Sequence, residues 1–101
     1  MHAMPVEIWE HGDRRYEYTS TYSVADDCWM HELTETTPRP VDKPAVLVVT
    51  IPDTSPESPS FAPAPAADVT FAVSGQCEVP WPILSRFLTA IYATGDVSRP
   101  G

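Results

Sequence analysis

The sequence predicts an α+β domain: a meander-like antiparallel sheet of four or five strands, one C-terminal amphipathic helix packed on a single face, and a long Pro-rich loop between the last two strands. Two observations carry that expectation. Residues 80–95, PWPILSRFLTAIYATG, put Ile83, Leu84, Phe87, Leu88 and Ile91 on one apolar stripe while Ser85, Arg86 and Thr89 lie off it, the 3.6-residue pattern of a half-buried helix. Upstream, segments rich in β-branched and aromatic residues alternate with turn signals, the pattern of strands joined by short reversals. An isolated helix of this length is marginal in water, so its stripe must be buried against that sheet. One hundred and one residues with 43% apolar content suit one domain, residues 1–101, large enough to fold on a single core.

The first two strands are expected over residues 6–11 and 15–24, with Gly12-Asp13 marking the turn between them. A three-residue loop over Gly12, Asp13 and Arg14 sets Val6 and Ile8 on the same face as Tyr16, Tyr18 and Tyr22. In that register Trp9 lies on the opposite face beside Glu17, with His11 near Arg15. Trp9, His11 and Glu17 are then the candidate interaction surface, weighed against a plain solvated face carrying one amphipathic Trp.

Residues 24–35 admit two readings. As a strand, 28–35 follows a turn at Ala25, Asp26 and Asp27, and Trp29 and Leu33 come opposite Tyr22 and Tyr18. As a helix, Ser23 and Asp26 resemble a capping box, and Ala25, Trp29 and Leu33 share a face. The strand is preferred because a meander continues most simply from one hairpin into the next.

Residues 36–44, TTPRPVDKP, form a Pro-rich connector that cannot be an inner strand. Residues 45–51, AVLVVTI, are almost continuously apolar, as expected of a central strand covered on both faces or nearly so. Residues 52–67 hold five Pro around a lone Phe61 and read as a mobile excursion, with flexible termini at either end of the chain. In 68–75, DVTFAVSG, Val69, Phe71 and Val73 alternate with Thr70, Ala72 and Ser74. That apolar face is the expected seat of the helix. Pro80 and Pro82 fit the first helical turn, and Gly95 is placed to close it in the left-handed conformation; the helix should run near 80–94.

Composition narrows the function classes without choosing among them. Fourteen acids against six bases give a net charge of −8, which repels a nucleic-acid backbone, and no basic stripe offsets it. No apolar run approaches a membrane span and the first residues lack a signal-peptide pattern, so a cytoplasmic protein is expected, with no membrane partner. The absence of Asn and the single Lys43 and Gln76 suit a GC-rich bacterial or phage genome.

Candidate chemistry is sparse. Cys28-Trp-Met-His31 has a ligand-like spacing without the second close pair that makes zinc sequences specific. Cys28 and Cys77 either pair or remain two buried thiols. On a strand Cys28 and His31 point to opposite faces; on a helix they converge. No nucleophile elbow or Gly-rich phosphate loop is present, and Pro56-Glu-Ser-Pro59 is a weak P-x-x-P match. No catalytic, metal or cofactor residues are therefore assigned and no cofactor is expected. The reading is a small acidic, non-enzymatic bacterial protein that works through protein–protein interaction, as an adaptor, inhibitor or immunity-type partner, with a homodimer slightly favoured over a hetero-partner. The alternative is a small enzyme or a ligand- or metal-binding domain using Cys28, His31 and their neighbours.

Overall fold

The first reversal sets the register of everything that follows. In a computed structural model that describes residues 6–36, 46–74 and 78–97, Gly12 takes φ of +62°, a conformation glycine adopts without a Cβ penalty. With Asp13 it closes a two-residue loop between β1 (Glu7–His11) and β2 (Arg14–Ser23), pairing His11 with Arg14, Trp9 with Tyr16 and Glu7 with Tyr18. The expected three-residue loop is therefore corrected by one residue, and a one-residue slip exchanges the two faces of a strand. Trp9 faces the core at 1% exposure, whereas Val6 and Ile8 face outward at 53% and 48%. Two causes favour this outcome: a two-residue loop matches the twist of paired strands, and an indole removes more apolar area from water than two shorter aliphatic chains left half-exposed.

The second reversal follows expectation. Asp27 adopts φ of +51°, tolerated by Asp through local hydrogen bonding. Ser23 Oγ accepts the Asp26 N–H and donates to Asp26 Oδ2, so the pair that resembles a helix cap serves a turn instead. β3 (Cys28–Glu35) is a strand that pairs Tyr22 with Trp29 and Tyr18 with Leu33. β4 (Val46–Pro52) and β5 (Thr70–Ser74) complete an antiparallel sheet in the order β1-β2-β3-β4-β5. β4 buries Leu47, Val49 and Ile51 on one face, while Val46, Val48 and Thr50 on the other are only half-buried. Its continuous apolar run thus reflects one covered face and one shaded by neighbours, Val48 lying between Glu32 and Ala72, rather than layers on both sides. A 3₁₀ turn at Ala66–Asp68 leads into β5.

The helix, α1 (Trp81–Ala93), begins with Pro80 at its cap and Pro82 in its first turn, where the Ile83 and Leu84 N–H groups donate to the Pro80 carbonyl. It ends where Gly95 takes φ of +80° and its N–H donates to the Tyr92 carbonyl. Ile83, Phe87 and Ile91 are fully buried, with Leu84 and Leu88 half-buried at the margins.

Beneath α1 a row of rings crosses three strands diagonally. Trp9 stacks on Tyr18 with centroids 5.1 Å apart, Tyr18 lies parallel to His31 at 6.1 Å, and Phe87 meets Tyr18 edge-on at 5.9 Å. The Arg86 guanidinium sits 4.5 Å over the Trp9 ring, a cation–π contact that caps the row from the helix side. At the hairpin end, Arg14 pairs with Glu35 at 2.8 Å and donates to the Glu78 carbonyl. One side chain so ties β2, β3 and the approach to α1 together.

Candidate functional site

Trp9, His11 and Glu17 do not form one surface. Trp9 belongs to the core, its Nε1 donating to Glu7 Oε1 at 3.3 Å. His11 is exposed on the last residue of β1, and Glu17 is half-buried on the outer face between Ile8 and Thr34. The interaction surface built on Trp9 is therefore corrected, by the same one-residue shift that buried the indole.

Cys28 and His31 share β3 but, at odd spacing, alternate to opposite faces. Cys28 is buried with a free thiol, and that burial, aided by Asp26 and Asp27, pushes its pKa up. This is the direction that depletes the nucleophilic thiolate. His31 is fully buried; its Nδ1 lies 2.9 Å from the Tyr18 hydroxyl while Nε2 has no partner among the described residues. Burial lowers its pKa, with Asp96 acting in the opposite direction, so burial favours the neutral imidazole in the ring row. Among the described residues no group of three His, Cys, Asp or Glu side chains could hold a metal ion. Cys77 lies outside the described residues, and its pairing with it.

The Pro-rich stretch read as a mobile excursion makes specific contacts with the margin of the sheet. Asp53 organises it: Oδ2 accepts from the Tyr22 hydroxyl at 2.8 Å, and Oδ1 accepts the Ser55 and Ala62 N–H groups at 2.9 and 3.1 Å. The backbone bonds to Ser55 chiefly hold the Asp53 carboxyl below its ordinary pKa, and the Asp53 hydrogen bond pushes Tyr22 up to about 12. Phe61 returns to the sheet margin, 6.1 Å from the Tyr22 ring and 5.7 Å from Trp29. A cleft of about 220 Å³ opens beside this cluster, rimmed by Pro56, Ser58 and Pro59. The rings spend their contacts on one another and Asp53 spends its oxygens on the loop, so the cluster is explained as an anchor.

A different region has no such internal account. β5 pairs with β4 on one side, and among the described strands nothing pairs with its other side. Its register sets Phe71 beside Val49 and Val73 beside Leu47, on the face that carries the core, but α1 does not cover them. Phe71 is left 56% exposed and Val73 44%. The sequence-based seat for the helix is therefore corrected: all five residues of β5 are exposed. Between this strand and the end of α1 runs a groove of about 160 Å³, lined by Val69, Phe71, Leu88, Ile91, Tyr92 and Val97 among others, with no charged side chain among the described residues of its walls. The missed signal was topological: the last strand of a meander is an edge, and alternation alone cannot say whether an edge is covered.

Compared with known proteins, the chain matches no family model, no curated protein and no solved structure. Among its described residues no helix is long and apolar enough to cross a membrane.

Proposed function

We propose that this is a small acidic, non-enzymatic interaction protein, of the adaptor, inhibitor or immunity type, whose binding surface is the open edge of β5 with the apolar groove beside it. The observation that carries this reading is the exposure of Phe71 and Val73 on a strand whose outer side has no pairing partner among the described residues. Such an edge offers main-chain donors and acceptors for strand addition, and alternate side chains supply specificity. The uncharged groove alongside gives those side chains an apolar floor to settle against. The net charge of −8 supports a polypeptide over a nucleic acid as the partner, because a phosphate backbone would be repelled. The competing reading, an enzyme drawing on Cys28 and His31, has the less support, since burial raises the thiol pKa and the pleat separates the two side chains.

A photo-crosslinking amino acid placed at Val73, and separately at Thr19 in the middle of the sheet, tests the reading in cells of the organism that makes the protein. Polypeptide adducts at 73 and none at 19 are expected. Adducts at neither position, or equally at both, would remove the β5 edge as a binding surface.

A further inference from the structure

Resting on that reading, we propose that the polypeptide at the β5 edge is a second copy of this chain, paired antiparallel about a two-fold axis through Ala72, so that two five-stranded sheets join into one. The symmetry is written in the strand itself. Pairing TFAVS with its own copy about Ala72 sets Thr70 opposite Ser74, Phe71 opposite Val73, and Ala72 opposite Ala72. Hydroxyl pairs and aromatic–β-branched pairs are the favourable cross-strand neighbours of an antiparallel ladder. A slip of one residue would set Phe71 against Ala72 and turn the two cores to opposite faces. A slip of two would leave fewer of the strand residues paired. A strand from another protein would satisfy the edge, but nothing about such a strand would require β5 to be complementary to itself.

Charge points the same way. Among the described strands, β1 and β5 are the two outer edges of the sheet. β1, EIWEH, carries Glu7 and Glu10, whereas β5 carries no charge at all. For two copies of a molecule with net charge −8, like-charge repulsion disfavours the first edge and spares the second. β5 also has no Pro or Lys to block pairing. A two-fold axis perpendicular to the sheet puts both helices on the same side, so Phe71 and Val73 of each copy meet above the joined sheet and the two uncharged grooves become one apolar layer. Such an isologous contact closes on itself and stops at two chains.

Disulfide trapping reads the register directly. On a Cys77→Ser background with oxidised glutathione as electron acceptor, Ala72→Cys is expected to give a linked dimer, because opposed residues in an antiparallel pair lie about 4.5–5.5 Å apart at Cα, within the span a disulfide bridges. Ser74→Cys alone should not, since its two copies are offset by roughly 13 Å along the strands, while a mixture of Thr70→Cys and Ser74→Cys chains should link. Sedimentation of the unaltered protein should show concentration-dependent dimers that persist in high salt, and Phe71→Glu, at an exposed position, should weaken them at least tenfold with an unchanged circular-dichroism spectrum. Two outcomes together would overturn the second-copy proposal: a monomer at every concentration in low and high salt, and Ala72→Cys linking no faster than Thr19→Cys. If the crosslinker at 73 nevertheless captures a different polypeptide, the interaction reading survives without the dimer; if it captures nothing, both fall.

Discussion

Tyr16 and Tyr18 on β2, and Phe71 and Val73 on β5, project from the same face of one sheet, in strands that alternate apolar and polar residues equally well. The first pair is buried and the second stands in solvent. Nothing in their local pattern separates them. What separates them is where α1 lies: Phe87 and Arg86 reach Tyr18 and Trp9, near the β1 end, and the helix is too narrow to cover a five-stranded sheet. Periodicity thus determines which face of a strand is apolar, while layer geometry decides how much of that face is sealed.

Truncations across the two regions should differ in size accordingly. Phe87→Ala, at a fully buried site against the ring row, is expected to destabilise by about 3–5 kcal/mol, measured by urea unfolding. A loss under about 1 kcal/mol would mean that the helix is not seated there. Leu88→Ala, on the half-buried margin facing the groove, should lose only about 1–2 kcal/mol, because its side chain keeps part of its contact with water. The ring row also carries a pH signature. His31 has its pKa lowered from 6.5 by burial, so the unfolded chain takes up the proton first, and stability present above about pH 6.5 is lost as pH falls towards the folded value, by at most about 1.4 kcal/mol per pH unit for one proton. His31→Gln, which preserves a partner for the Tyr18 hydroxyl, should flatten the dependence of Tm between pH 7 and 5; an unchanged slope would show that His31 is not its source. The smallest effect belongs to β5: Phe71→Ser should change monomer stability by no more than about 0.5 kcal/mol while weakening association.

Much of this architecture is legible in the sequence. A count of four or five strands, the preference for a strand over residues 28–35, the cross-strand partners of Tyr18 and Tyr22, and both ends of the helix followed from turn residues, Pro placement and apolar spacing. The β1 register did not, because Gly12-Asp13 is compatible with two- and three-residue loops, and burial of Trp9 against the distant Arg86 decided between them. Nor did the docking of residues 53–64, whose anchors Asp53 and Phe61 are single side chains among Pro and Ser and leave no periodic trace. The β5 edge was half legible. Its alternation stood out, but its exposure depended on a helix position that no local pattern encodes.

Strand order equal to chain order has a further consequence, for the time course of synthesis. Each strand of this sheet can pair with the one made just before it, by a local closure that involves little loop entropy. The cover over the first two strands, however, is α1, made after all five. While the chain emerges from the ribosome, Trp9, Tyr16 and Tyr18 are thus laid out in a paired but unroofed sheet until Phe87 and Arg86 arrive. In that interval the nascent domain is at its stickiest, and a chain halted short of the helix would display to its surroundings the rings that the finished fold conceals most completely.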